Sequence, residues 1–170
     1  VHIPLILMGY LNPIMKFGFE AFCQKCVECG IDGVIIPDLP FKDYEETYKP
    51  IADRYDIRVI MLITPETSEA RVREIDEHTD GFIYMVSSAA TTGAQKDFDS
   101  QKQAYFKKIQ DMHLRNPRMV GFGISNKQTF DAACANSSGA IIGSRFVTLL
   151  NEAEGDAEKA ITQLKENVGR

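Results

Sequence analysis

Six times along this 170-residue chain, a short run of Ile, Val, Leu, Met and aromatic residues gives way to a stretch with helical periodicity. The runs are 3–8 (IPLILM), 33–36 (GVII), 58–63 (RVIMLI), 81–86 (GFIYMV), 118–121 (RMVG) and 139–142 (GAII). Each is of strand length and largely apolar on both faces. That is the mark of parallel strands covered by helices on both sides. Helices are expected over about 17–29, 43–53, 69–78, 100–112, 127–134 and 145–150, with a last surface helix over 156–168. A turn is expected at Asn12-Pro13. Right-handed crossovers between such strands leave two architectures, an open doubly wound sheet or a closed (β/α)8 barrel.

The late loops favour the barrel. Gly121-Phe122-Gly123-Ile124-Ser125 and Gly143-Ser144 each place glycine where a strand ends and a helix opens. Glycine admits close approach of an anion to the backbone, and a helix start offers unpaired N–H donors and a positive dipole end. Barrel enzymes commonly build a phosphate site from the loops after strands 7 and 8. Numbered that way, the first run is strand 3. The expected fold is therefore an α/β, incomplete (β/α)8 TIM barrel lacking its first two βα units, with residues 1–170 as one domain. Run 3–8 would then be an apolar edge with only Pro4 to discourage pairing.

Composition excludes several classes. The hydrophobic fraction of 44% and charged fraction of 25% suit a packed domain. A net charge of -5 disfavours a nucleic-acid partner, which needs clustered Lys and Arg. No apolar run is long enough for a membrane span, and the start lacks the basic segment of a signal peptide. Cys23, Cys26 and Cys29 share a spacing with iron–sulfur ligand runs. Phe19, Phe22, Cys23, Cys26 and Val27 instead read as the buried stripe of a helix, with Cys29 off it. Unpaired thiols suit a reducing cytoplasm. No metal-ligand pattern, Walker loop or GxGxxG occurs, so neither a metal nor a nucleotide cofactor is implied.

Four segments could carry chemistry. Tyr10, in Gly9-Tyr10-Leu11-Asn12-Pro13, sits at a strand end and could line a pocket mouth or belong to a plain turn. Asp38, in Pro37-Asp38-Leu39-Pro40, is either a strand-end carboxylate with a functional role or the cap of a turn. Tyr84 precedes the small-residue stretch 87–94 (SSAATTGA), which suits a lid. Ser87 and Ser88 lack a base, because His2, His78 and His113 all fall away from strand C-terminal ends. Gly121, Gly123 and Gly143 either cradle phosphate or only permit tight turns.

In order, IPLILMGYLNPI, GIDGVIIPDLP, GFIYMVSSAATTGA, GFGIS and GAIIGS resemble the tryptophan synthase alpha chain family over essentially the whole chain, as its C-terminal portion, strands 3 to 8. The resemblance implies a lyase of tryptophan biosynthesis, cleaving indole-3-glycerol phosphate to indole and glyceraldehyde 3-phosphate. It implies that Tyr10, Tyr84 and Phe122 flank the indole ring and that Gly93, Gly123, Gly143 and Ser144 cradle phosphate. Thr92 would belong to the lid, and Asp38 would face the pocket and a partner. That partner would be the beta chain, in an alpha2beta2 heterotetramer, and pyridoxal phosphate would be the beta chain's cofactor. The family's catalytic Glu and Asp would lie upstream of Val1, so this chain alone is expected to be inactive. Two alternatives are a non-catalytic partial barrel that binds phosphate or the beta chain, and another phosphate-binding barrel enzyme.

Overall fold

The structure, a computed structural model, describes residues 2–86, 95–121 and 123–170, the side chains of 95–99 excepted. These residues form two compact units. One contains 1–62 and 68–83, the other 63–67 and 84–170.

The first unit is built on a parallel three-stranded sheet, β1 (Ile6–Met8), β2 (Gly33–Ile35) and β3 (Arg58–Ile60), in that order. Ile6 stands opposite Gly33 and Met8 opposite Ile35, while Gly33 and Ile35 face Arg58 and Ile60. All of β2 is buried, consistent with its near-continuous apolar sequence. Gly33 is required by space. A Cβ there would lie 2.7 Å from the Arg58 carbonyl oxygen and 3.0 Å from Ile6 Cδ1. β1 is the outer strand of these three, and Met8 is 55% exposed.

Several local expectations are corrected. Asn12-Pro13 lies inside α1 (Leu11–Phe17), not in a turn. Proline is accepted there because first-turn N–H groups have no helical acceptor. The helix expected over 17–29 begins instead at Phe19, giving α2 (Phe19–Glu28), because Gly18 at φ 95° separates it from α1. Phe19, Cys23 and Cys26 are buried as expected, but Val27 is 51% exposed and off the stripe. The helix expected over 43–53 is three pieces, α3 (Phe41–Asp43), a π-helical turn (Tyr44–Tyr48) and α4 (Lys49–Arg54). Pro50 explains this. It has no N–H to give four residues back and its ring crowds that carbonyl, so the helix widens just ahead of it. Lys49 N–H accordingly donates to the Tyr44 carbonyl, five residues back.

These pieces close over the sheet. Tyr48 meets Phe19 edge-on at 4.7 Å between ring centres. Arg54 and Tyr55 both reach the Glu20 carboxylate, at 3.0 and 3.2 Å. α5 (Glu69–His78) buries Val72 and Ile75 as expected, and Ser68 caps it. His78 pairs with Glu45 of the π turn.

The run 58–63 is interrupted at Met61, and β4 (Leu62–Ile63) belongs to a second sheet of order β4, β5 (Ile83–Val86), β6 (Arg118–Gly121), β7 (Gly139–Ala140). β6 and β7 are parallel, Val120 opposite Ala140. In the second unit α6 (Gln95–Asp111) buries Tyr105, Phe106 and Ile109. α7 (Lys127–Cys134) follows β6. α8 (Ser144–Glu152) and α9 (Ala157–Asn167) form a hairpin around Leu149, Ala153 and Ala160.

Two outcomes follow. Gly33→Ala forces a methyl onto Arg58 and should lower unfolding free energy by about 1–3 kcal/mol in denaturant titration; an unchanged midpoint would refute the packing argument. Burial, followed by Cys26 and Glu20, pushes the Cys23 thiol up from 9.0 to about 11. The folded chain then keeps this proton when the unfolded chain loses it. The contribution is whole below about pH 9 and is lost as pH climbs towards about 11. Stability of Cys23→Ala should therefore fall less steeply than the parent's across that window, and parallel curves would contradict the assignment.

Candidate functional site

The expected site residues divide between the units. In the first, Gly9 N–H donates to the Ile35 carbonyl at 3.1 Å, which carries the β1–β2 pairing one step beyond the strands. α1 then opens at Leu11. Its N-cap residue, Tyr10, supplies no side-chain cap and is 68% exposed. The cap comes from elsewhere: Asp38 Oδ1 accepts the Leu11 N–H at 2.8 Å. Asp38 therefore caps, but it caps a helix start 27 residues away and not its own turn. A second carboxylate does the same before β1, where Asp32 Oδ2 accepts the Leu5 N–H at 2.8 Å. Sequence reasoning passed over Asp32. Its only signal is an Asp one residue before a buried strand.

In the second unit, Tyr84 on β5 is 5% exposed, and burial pushes its phenol up from the ordinary tyrosine value. Its ring crosses directly over Gly121. A methyl on Gly121 would overlap the hydroxyl and the ring carbons, so only glycine leaves room for the phenol there. Gly121 is thus a close-approach residue inside β6, where the strand continues, and not a turn glycine.

Beyond β6 and β7 the two glycine loops leave the same end of the sheet, because the strands are parallel neighbours. The ladder continues through Ile141 N–H to the Val120 carbonyl at 2.8 Å. Gly123 adopts φ +76°, and among the described residues nothing lies within 4 Å of where its Cβ would be; Gly143 is equally open. The helices that follow differ in chemistry. α7 is closed by a capping box: Asn126 Oδ1 accepts the Thr129 N–H at 2.9 Å, and Thr129 Oγ1 accepts from Ser125 and Asn126 N–H at 3.1 and 3.2 Å. α8 has Gly143 as its N-cap and no side-chain cap. Its first-turn donors, beginning with Ser144, stand beside open space. Thr92, Gly93 and Phe122 fall outside the described residues, as do Ser87 and Ser88.

Among the described residues, no group of three or more His, Cys, Asp or Glu is placed to hold a metal ion, and no helix is long and apolar enough to cross a membrane.

The capping role of Asp38 is directly testable. Asp38→Ala should cost about 1 kcal/mol of stability, whereas Asp38→Asn, which keeps an accepting oxygen, should cost only a few tenths. Equal losses in the two variants, measured by thermal and denaturant unfolding, would show that Asp38 acts through its charge.

Comparison with known proteins accounts for this arrangement. The chain is 80% identical over 165 residues to the tryptophan synthase alpha chain of Bacteroides fragilis, covering 97% of this chain and 62% of that one. It is 78% identical over 166 residues to that of Bacteroides thetaiotaomicron, covering 98% and 64%. The chain thus spans somewhat under two thirds of the length of these curated relatives. Among solved structures, the tryptophan synthase A-subunit of the hyperthermophile Pyrococcus furiosus superposes with a TM-score of 0.83 at 28% identity, covering 98% of this chain and 67% of that one. Tryptophan synthase subunit alpha of Campylobacter jejuni does so at 0.82 and 29%, covering 98% and 66%. The family model described as tryptophan synthase alpha chain matches residues 1–170, and the chain belongs to the tryptophan synthase alpha chain family.

Proposed function

We propose that this chain is strands 3 to 8 of a (β/α)8 barrel that cleaves indole-3-glycerol phosphate to indole and glyceraldehyde 3-phosphate. The observation that carries the reading is the pairing of an open Gly143 with an uncapped α8 beside it. Such a helix start offers N–H donors and the positive end of the helix dipole to a phosphate dianion. α7 contributes less, because its first N–H groups are already satisfied by Asn126 and Thr129. The phosphate is therefore held by Ser144 and its neighbours on α8, with Gly123 leaving the approach open; the family resemblance adds Gly93 and Thr92 to this site.

Tyr84 supplies a rigid face for the indole. Its ring is held by β5 on one side and by the missing side chain of Gly121 on the other. The family resemblance assigns Tyr10 and Phe122 to the indole as well.

The reaction breaks the bond between the indole carbon and the glycerol chain. A proton is delivered to that carbon while the adjacent hydroxyl loses its own proton to become the aldehyde. Proton transfer of this kind is typically worth about 10²- to 10⁴-fold. The two carboxyl groups that perform it belong to the segment before Val1, so this chain anchors and orients the substrate without turning it over. The chain itself needs no cofactor. A beta chain carrying pyridoxal phosphate docks on the side of Asp38, in an alpha2beta2 assembly in the cytoplasm.

Indole release from indole-3-glycerol phosphate should be negligible for this chain and restored when the upstream barrel segment is added. Turnover by the short chain would overturn the division of labour. Gly143→Asp should weaken binding of glycerol 3-phosphate to the complete barrel by about tenfold or more, since like charges in contact cost several kcal/mol and about 1.4 kcal/mol is a factor of ten. Unchanged affinity would remove α8 from the phosphate site.

A further inference from the structure

The dipeptide Asp-Gly occurs twice in the first unit, in similar settings: Ile31-Asp32-Gly33-Val34-Ile35 and Thr79-Asp80-Gly81-Phe82-Ile83. Neither Asp80 nor Gly81 has a part in the function proposed for the barrel. Asp-Gly is prone to a reaction within the chain itself. The side-chain carboxyl carbon and the next backbone nitrogen can close a five-membered ring, and glycine puts no side chain in the way. Covalent bonds already hold the reacting atoms close, so conformation decides whether they meet.

The fold treats the two copies differently. Asp32 N–H donates to the Leu5 carbonyl at 2.9 Å, and the Asp32 carbonyl accepts the Arg58 N–H at 3.1 Å. The Asp32 carboxylate accepts the Leu5 N–H at 2.8 Å. Gly33 is buried in β2 and paired on both sides. Closing a ring there requires the carboxylate to leave Leu5 and the peptide to leave its neighbouring strands. Asp80 and Gly81 instead lie exposed in the link between α5 and β5, outside both elements. Gly81 has φ +105°, a conformation that belongs to glycine. Asp80 feels the charge of Arg58, whose guanidinium hydrogen-bonds Asp56 at 2.6 Å.

We propose that Asp80–Gly81 is an isoaspartate-forming modification site of the folded chain, with Asp32–Gly33 as its closed counterpart. The reaction needs only water. The Gly81 nitrogen bonds to Asp80 Cγ, and the hydroxyl of the protonated carboxyl leaves as water with the nitrogen's proton. Water then opens the cyclic imide. Attack at the former backbone carbonyl leaves the main chain running through Cγ, with a new carboxylate on Cα. The product carries one extra main-chain carbon just ahead of β5, the strand that bears Tyr84. At Asp32 the same reaction waits on local opening of β1 from β2, which the three hydrogen bonds oppose.

The test is ageing of the folded chain in neutral buffer. Peptide mapping with electron-transfer fragmentation then tells isoaspartate from aspartate. An isoaspartyl methyltransferase with S-adenosylmethionine counts the new carboxylates as methyl acceptors. Isoaspartate is expected to form at Asp80 about tenfold or more faster than at Asp32, a margin that two net hydrogen bonds sustain. In guanidinium chloride the two sites should react at comparable rates, because the fold no longer separates them. Asp80→Glu keeps the charge but enlarges the ring, and should remove methyl acceptance at this site. Equal yields at the two sites in the folded chain, a difference that persists in guanidinium chloride, or undiminished methyl acceptance by Asp80→Glu would each overturn the proposal.

Discussion

A carboxylate on either flank of β2 grips the chain on either flank of β1, and the first unit depends on this pair of hydrogen bonds. Asp32 takes the Leu5 N–H and Asp38 the Leu11 N–H, both at 2.8 Å. β1 is three residues long and lies at the end of its sheet, so its ladder alone offers few bonds to set the register. A one-residue slip would turn each side chain to the opposite face. The two aspartates prevent it by fixing a backbone N–H before the strand and another after it. They also decide where α1 begins, since its own N-cap residue is a tyrosine that cannot cap. Position of Tyr10, start of α1 and pairing of β1 are thus one problem with one solution.

The second unit solves its own placement problem by omission. The Tyr84 ring lies where a side chain on β6 would stand, and Gly121 leaves that volume empty. Beyond it, open space at Gly123 and Gly143 leaves backbone within reach of a ligand. The capped α7 and the uncapped α8 show that two similar glycine loops are not equivalent. One spends its N–H donors on Asn126 and Thr129, and the other keeps them available.

The alternation of apolar runs and helical stretches was readable in the residues, and so were the strand positions, because parallel strands buried on both faces need continuous apolar sequence. α5 and α7 fell where periodicity put them. What was not readable depended on partners distant in sequence. Asp38 looks like a turn residue until Leu11 is seen beside it. Gly121 looks like a loop glycine until Tyr84 is found above it. The π turn was hidden for a local reason: Pro50 announces trouble in a helix but not which neighbour will absorb it. Val27 sat on the expected stripe by counting, yet it lies at the stripe's edge, about 100° round the helix from Cys26, and is exposed. Tyr84 and the glycines at 123 and 143 stand out in the residues as candidates because strand ends followed by helices are where ligand chemistry collects.

The two aspartate bonds have a consequence in time as well as in space. Each joins residues 27 apart, so each half of the clasp is synthesised well after the strand it must hold. At about 5–20 residues per second, the ribosome needs roughly 1 to 5 s to make that intervening length. For that interval β1 lacks β2, the partner on that side, and Ile3, Leu7 and Met8 stay exposed even in the finished unit. A nascent chain in this state is a ligand for whatever in the cell binds short apolar segments, and the arrival of Asp38 is the event that ends the exposure of the backbone at α1.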